Sequence, residues 1–130
     1  MIPDSRIIGF VPTRNADRAR AFYSETLGLK FVGDDGFALV FRSGANMIRI
    51  ARTDFTPVPS TILGWEVADI VAEVTALTAK GIVFARYPFL PPEQVDELGI
   101  WTSPTADKVA WFQDPDGNTL SLSQHLSSRG

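Results

Sequence analysis

Side chains able to perform acid–base or nucleophilic chemistry are scarce in this chain of 130 residues. It contains one histidine, His125, and no cysteine. The absence of cysteine excludes disulfides, thiolate zinc sites, iron–sulfur clusters and cysteine nucleophiles. A Ser–His–Asp triad is not predicted either, because the one imidazole would have to serve every role.

Arg49 is the charged residue with the most informative surroundings. It lies in a predicted strand between two isoleucines, and a charge among apolar neighbours requires a partner. One interpretation is an internal ion pair with Glu66, or a guanidinium that reaches the rim. The other is that Arg49 binds an anionic or carbonyl oxygen of a ligand, for which its planar fork is well suited.

The composition is that of an ordinary globular protein, with 45% hydrophobic and 21% charged residues, and predicts one domain over residues 1–130. The net charge of −3 and the pI near 5.0 provide no basic field for nucleic acid. No apolar run approaches the roughly 20 residues of a membrane span, and the N-terminus lacks the features of a signal peptide. We therefore expect a cytoplasmic protein that binds neither nucleic acid nor membrane.

The first half of the chain predicts the element order βαβββ. A helix is expected from Ala16 to Leu27, with Asn15 as its N-cap and Gly28 as its C-terminal stop. Pro12 is expected to end the strand that precedes it. The predicted strands cover residues 6–11, 29–32, 37–42 and 46–52.

The second half repeats this order after a linker at residues 53–60. A helix is expected between the cap Asp69 and the stop Gly81, and strands over residues 61–67, 82–87, 108–113 and 119–124. A shift of 54 residues places Ile8 on Ile62. The sequence thus predicts an α+β fold of two tandem βαβββ modules, at 6–52 and 61–125, forming one curved mixed sheet around a cleft, with helices on its outer face.

The segment 88–105 is irregular and long for a small domain, which is typical of lids, binding loops and partner contacts. The alternative is a loop that packs down on its own apolar residues, with one helical turn at 93–98.

Strand periodicity assigns one set of residues to the concave lining of the cleft. This set is apolar with a few polar groups, as small-molecule pockets usually are. The predicted lining is Ile8, Phe10, Met47, Arg49, Ala51, Ile62, Gly64, Glu66, Ser121 and Ser123. Trp101 and Trp111 are expected to supply stacking walls, with Phe37 and Phe41 as further candidates. The opposite set is apolar and is expected to pack beneath the helices: Ile48, Ile50, Leu63, Trp65, Val67, Leu120 and Leu122.

Two segments resemble the vicinal oxygen chelate superfamily, which includes glyoxalase I, the bleomycin resistance proteins and the extradiol dioxygenases. VPTRNADRARAFYSETLGLKFV resembles its opening segment through Phe22-Tyr23 and Leu27-Gly28-Leu29. KVAWFQDPDGNTLSLSQ resembles its closing segment, with Asp114-Pro115-Asp116-Gly117-Asn118 intact. The similarity spans about residues 6–125. It implies paired βαβββ modules around a cleft that often lies near a dimer interface.

The resemblance also implies four metal-ligand positions, and this sequence departs from the pattern at each of them. They fall on Ile8, on Ile62, on Ser121 and on or near Arg49. Isoleucine cannot ligate, arginine repels a cation, and serine alone is a weak ligand. His125 and Glu66 share the strand parity of these positions, so a rearranged two-ligand site is one alternative. A solvated histidine near the terminus is the other.

The function expected from the resemblance is metal-independent binding of a small, largely apolar molecule, such as an antibiotic or an aromatic metabolite, by a homodimer without a cofactor. One alternative is a metal-dependent lyase, isomerase or dioxygenase with a rearranged metal site. Another is an interaction module whose function is the dimer or a partner contact.

Overall fold

The computed structural model describes residues 1–126 and divides them into two compact units. The first unit consists of Met1–Pro57 together with Asp114–Asn118. The second consists of Val58–Gln113 and residues 119–126. Neither of the longer helices has the length and apolar character needed to cross a bilayer within the described part of the chain.

The first helix begins where the sequence predicts. Asn15 caps α1 (Ala16–Ala21), because its side-chain oxygen accepts a backbone N–H of the first turn at 3.2 Å. The helix then widens into a π-helical turn over Phe22–Thr26, which buries the aromatic pair at its start. Gly28 ends the element with a φ of +76°, a conformation that favours glycine.

The first unit contains a four-stranded sheet in the order β1-β4-β3-β2. β1 and β4 are parallel, and the other two pairs are antiparallel. Pro12 does not end β1 as expected, because β1 is an edge strand, where proline forfeits no ladder hydrogen bond. The strands are β1 (Ile8–Thr13), β2 (Lys30–Asp34), β3 (Ala38–Ser43) and β4 (Asn46–Arg52).

The second unit repeats this topology in the order β5-β8-β7-β6. Its helix α2 (Ile70–Ala79) is capped by Asp69, whose side chain accepts a backbone N–H at 3.1 Å. Its strands are β5 (Thr61–Glu66), β6 (Trp101–Thr102), β7 (Lys108–Gln113) and β8 (Thr119–Gln124). The α+β class and the two βαβββ modules are therefore confirmed, while hydrogen bonding groups the strands into two sheets of four instead of one continuous sheet.

The strand expected over residues 82–87 is wrong. Within this segment the N–H of Ala85 donates to the carbonyl oxygen of Trp111 at 2.8 Å, but no ladder forms. The short strand β6 pairs with β7 instead, and it comes from the far end of the loop that the sequence left irregular. In that loop Ile100 is buried and a short 3₁₀ turn covers Pro92–Gln94, in place of a helical turn at 93–98.

Each unit has its own core between helix and sheet. Tyr23 packs on Phe41 in the first unit, with ring centroids 6.0 Å apart. Phe84 packs edge-on against Phe112 in the second, at 5.5 Å. The residues expected beneath the helices follow the prediction in part: Ile48, Ile50, Leu120 and Leu122 are buried, whereas Leu63, Trp65 and Val67 are half-buried.

Candidate functional site

Four of the predicted lining residues lie together on one face of the first sheet. The ladder pairs Ile8 with Met47 and Phe10 with Arg49, and directly paired residues share a face. Ile8 is 48% exposed and Phe10 is 66% exposed, which is unusual for side chains of this size. This face is therefore apolar and open in the single chain.

The partner of Arg49 is Asp35, not Glu66. Arg49 Nη2 lies 2.6 Å from Asp35 Oδ2. The other carboxylate oxygen of Asp35 accepts two backbone N–H groups in the turn between β2 and β3. The Arg49 hydrogen bond, followed by these backbone donors, lowers the pKa of Asp35 to about 2. Because the Arg49 guanidinium is already paired with the Asp35 carboxylate, its charge does not require an anionic ligand.

The second sheet brings the remaining predicted residues together, with one exception. Gly64 pairs with Ser121 and Glu66 with Ser123, and both serines pair in turn with β7. A Cβ atom on Gly64 would lie 2.5 Å from Ser121 Oγ, so the glycine allows this hydroxyl to lie across the neighbouring strand. The exception is Ile62, which falls in a bulge and has no ladder partner.

Trp101 and Trp111 lie on the same face as these polar residues. Trp111 is the cross-strand partner of Ser121, and Trp101 pairs with Val109, the partner of Ser123. We call Gly64, Glu66, Trp101, Trp111, Ser121 and Ser123 the aromatic–polar face. The other two aromatic candidates lie elsewhere: Phe41 is fully buried in the core of the first unit, and Phe37 is 80% exposed on that unit.

An aromatic cluster extends from this face. The ring centroids of Trp101 and Trp111 are 5.9 Å apart, and Tyr87 meets Trp111 edge-on at 5.5 Å. Phe89 stacks on Tyr87 at 5.3 Å and leaves 78% of its surface exposed. Trp101 is held in place by a hydrogen bond from its indole N–H to Gln94 at 3.0 Å. The result is a wall of rings with an accessible edge.

His125 directly follows the last residue of β8, and its ring lies among side-chain oxygen atoms. Its Nε2 is 3.3 Å from Ser123 Oγ and 3.9 Å from Glu66 Oε2. Its Nδ1 is 3.4 Å from Asp107 Oδ1. The predicted proximity of Glu66 and His125 is therefore observed. Asp107 is a neighbour that the sequence did not indicate, because it belongs to the turn before β7.

Three polar residues of the Asp114–Asn118 turn, Asp114, Asp116 and Asn118, are buried in the first unit. Asp114 Oδ2 accepts the hydroxyl of Tyr23 at 2.7 Å, and its Oδ1 accepts the backbone N–H groups of Asp116 and Asn118. Asp116 accepts the hydroxyl of Thr13. Burial and the adjacent Asp114 raise the pKa of Tyr23 far above its usual value. These carboxylates therefore form structural hydrogen bonds and are not available as metal ligands.

Comparison with known proteins agrees with this topology. Residues 7–122 match the model of the glyoxalase/bleomycin resistance protein/dioxygenase superfamily. The chain belongs to this superfamily. No curated protein matches it closely enough to add to that assignment.

Solved structures of the superfamily share the fold at low sequence identity. A glyoxalase family protein from Bacillus anthracis aligns with a TM-score of 0.72 and 20% identity, over 94% of this chain and 95% of its own. A lactoylglutathione lyase from Agrobacterium tumefaciens gives 0.71 and 18%, over 94% of each chain. A superfamily member from Alicyclobacillus acidocaldarius gives 0.70 and 16%, over 98% of this chain and 96% of its own.

The residues present do not fit the metal ion that the superfamily resemblance implies. Ile8 and Ile62 offer no donor atom, Arg49 is ion-paired with Asp35, and the Ser121 hydroxyl lies against Gly64. Within residues 1–126, no three His, Asp or Glu side chains are placed to ligate one ion, because Glu66 and Asp107 face different nitrogens of the His125 ring. The alternative site formed by Glu66 and His125 would supply a metal ion with two protein ligands.

Two of the cavities formed by residues 1–126 lie in the first unit, and neither is lined by residues of the aromatic–polar face. One of about 180 Å³ is lined by Ile8, Met47 and Val40 among others. Another of about 440 Å³ adjoins Arg14 and Arg52. Arg52 is held by Asp34 at 2.7 and 2.8 Å, and Arg14 lies 3.9 Å from Asp116. Because both guanidinium groups already have carboxylate neighbours, this cavity does not form an anion site.

Proposed function

We propose that this protein binds a small, largely apolar, aromatic molecule without a metal ion, and that the aromatic–polar face of the second sheet is the binding surface. The supporting observation is the position of Trp101 and Trp111 beside the small residues Gly64 and Ser121 on one face. Aromatic walls with a few polar groups are the usual lining of small-molecule sites. The whole chain acts as one domain in this proposal.

The two ends of this face suit the two ends of such a ligand. The rings of Trp101 and Trp111 offer offset stacking or edge contacts, each worth about 0.5–1.5 kcal/mol beyond area burial. At the other end Ser121, Ser123 and Glu66 offer hydroxyl and carboxylate oxygens to a ligand hydroxyl or amine. A planar molecule with one polar edge fits this distribution.

The four superfamily ligand positions support the metal-free part of the proposal. Calorimetric titration with Ni²⁺, Zn²⁺, Mn²⁺ and Fe²⁺ is expected to give no one-to-one binding. The Glu66→Gln/His125→Gln double variant is the matched control for a rearranged site. Stoichiometric binding that this variant loses would establish a metal site at Glu66 and His125 and would favour the alternative, a metal-dependent lyase, isomerase or dioxygenase.

Binding is tested by the protein's own fluorescence. Titration with 2-naphthol is expected to quench tryptophan emission in a saturable manner, and Trp111→Leu to weaken the affinity about tenfold, equivalent to about 1.4 kcal/mol. Trp65→Phe is the matched control, because Trp65 lies on β5 at the opposite parity from Gly64. Equal affinity of Trp111→Leu and the wild type would contradict the proposal.

We also infer that two copies of the chain associate. The support is the exposure of Ile8 and Phe10 on one face of the first sheet, at 48% and 66%, because exposed apolar surface on a single chain often marks an interface. Light scattering is expected to give the mass of a dimer. Phe10→Ser is expected to shift that mass toward the monomer, whereas a monomeric wild type would refute the inference.

A further inference from the structure

Three side chains of the second unit form a chain of proton donors and acceptors. Ser123 Oγ lies 3.3 Å from His125 Nε2, and His125 Nδ1 lies 3.4 Å from Asp107 Oδ1. A hydroxyl within reach of an imidazole, which is in turn oriented by a carboxylate, is the general arrangement of an activated nucleophile. Such distances are often long in the absence of substrate and shorten when it binds.

Asp107 is itself fixed by the surrounding loop. Its Oδ2 accepts the hydroxyl of Thr105 at 3.2 Å, and its side chain is 15% exposed. With the Nδ1 proton of His125 directed at this carboxylate, Nε2 is left with its lone pair toward Ser123. Glu66 Oε2 lies 3.9 Å from the same Nε2 and would stabilise the imidazolium once it forms.

We infer that Ser123 is a nucleophile, activated by His125 and Asp107, that accepts an acyl group from small aryl esters. Ser123 Oγ attacks the ester carbonyl carbon while its proton moves to His125 Nε2. The bond to the aryl oxygen breaks, and the departing phenolate takes that proton. Water then attacks the acyl-serine with His125 again as base, which releases a carboxylic acid and restores the hydroxyl.

The substrate class rests on the proposed function, because the aryl group is assigned to the adjoining rings. Trp111 lies on β7, the strand next to that of Ser123, and Trp101 pairs with Val109, the cross-strand partner of Ser123, so both indoles share a face with the hydroxyl. An aryl ester whose ring stacks there directs its carbonyl toward Ser123. The accompanying acyl group must be small, because Glu66 flanks Ser123 on the other side.

The strand environment limits the rate of this reaction. β8 is paired on both sides, with β5 and β7, so its backbone N–H groups are committed to the ladders and do not form an oxyanion hole. Proton removal by His125 is then the main source of rate acceleration, and general-base catalysis typically contributes about 10²–10⁴-fold. We therefore expect slow turnover of activated esters, with an acyl-serine that is detectable by mass spectrometry.

The experiment follows hydrolysis of 2-naphthyl acetate by the full chain. Ser123→Ala and His125→Gln are each expected to lower the protein-catalysed rate at least tenfold, and Asp107→Asn to lower it less. Ser5→Ala, an exposed serine of the first unit, is the control and keeps the wild-type rate. Because His125 is the only histidine, no other imidazole contributes to the background.

A second readout identifies the nucleophile without any variant. Acid quenching of the wild type during turnover, followed by peptide mass spectrometry, is expected to find the acetyl group on Ser123. An acetyl group on another residue, or a Ser123→Ala rate equal to that of the wild type, would overturn the inference. If the wild type binds 2-naphthol but is never acetylated, this inference fails alone. If Ser123 is acetylated but 2-naphthol does not bind, the proposed function fails instead.

Discussion

Equivalent positions in the two repeats carry side chains of opposite size. The 54-residue shift places Phe10 on Gly64, and the cross-strand partners of these two residues are Arg49 and Ser121. The first sheet therefore has a phenyl ring and an ion-paired guanidinium at the centre of its face. The second has a glycine and a hydroxyl. Two sheets of the same topology thus differ in whether the middle of the face leaves room for a ligand.

The turns that join the last two strands of each repeat differ as strongly. In the first repeat a short turn after Ser43 is exposed, and Asn46 accepts the N–H of Ile7 at the surface. In the second repeat the turn is longer, and Asp114 and Asp116 are buried in the first unit. The same connection is therefore a simple exposed turn in the first repeat. In the second repeat it is a buried hydrogen-bonded turn that packs in the first unit, which we call the anchor turn.

The largest loss of stability is expected from removing the Asp114 carboxylate of the anchor turn. Asp114→Ala leaves the Tyr23 hydroxyl and three N–H donors without their acceptor, so the free energy of unfolding should fall by about 4 kcal/mol. Asn46→Ala, at the first residue of β4 after the equivalent turn, is the control and should cost less than about 1 kcal/mol. Urea denaturation measures both, and similar losses would show that the turns do not differ.

A smaller effect is expected from removing one hydrogen bond of the anchor turn. Tyr23→Phe should cost about 2 kcal/mol near neutral pH, because the bond is made to a carboxylate. The raised pKa of Tyr23 adds a signature in alkali: the wild type is fully stabilised below pH 10 and loses stability above it, as the unfolded tyrosine ionises. Tyr23→Phe should lose that part of the alkaline slope, whereas Tyr87→Phe should keep it.

A larger side chain at Gly64 would make the aromatic–polar face of the second sheet resemble the face of the first sheet, where Phe10 occupies the equivalent position. Gly64→Val would place a Cβ 2.5 Å from Ser121 Oγ and methyl groups over the space beside Trp111, so 2-naphthol affinity should fall at least about tenfold. Gly33→Val is the matched control, since Gly33 lies in a strand of the first sheet with open space around its Cα. Undiminished affinity in Gly64→Val would locate the ligand elsewhere.

The smallest effect concerns the ion pair on the first face. Asp35 has a pKa of about 2 in the folded chain against an ordinary 3.8, so its stabilising contribution is complete above about pH 4. That contribution is lost as the pH falls from 3.8 toward 2. Asp35→Asn should remove this part of the acid dependence, which unfolding monitored by circular dichroism at pH 2–6 would detect. An unchanged acid slope would show that the Arg49 pair adds no stability.

Much of the fold could be read directly from the sequence. The caps Asn15 and Asp69 and the stop Gly28 act through local backbone geometry, so their positions follow from residue type. The prediction of a strand at 82–87 was wrong. The segment has the apolar pattern of a strand, but another segment occupies the position beside β7. The edge beside β7 is occupied by Trp101–Thr102, a pairing across a loop that no local pattern reveals.

The candidate site was predicted less completely than the fold. Strand parity correctly grouped Glu66, Ser121 and Ser123 on one face, because alternation along a strand is a local property. It missed Ile62, where a bulge interrupts the alternation. It also missed the acid that orients His125, because Asp107 reaches it from a different turn of the chain.

By itself, the sequence determined the repeat, the helix caps, the face on which most strand residues lie and the absence of His, Asp and Glu at the superfamily ligand positions. Only the tertiary structure decided which charges neutralise each other and which polar groups meet. Arg49 found Asp35 across its own sheet, the Asp114–Asn118 turn joined the unit of the other repeat, and His125 came to lie between Ser123 and Asp107. The physical reason is that local structure depends on residues a few positions apart, whereas hydrogen bonds and ion pairs depend on distances that long-range folding alone sets.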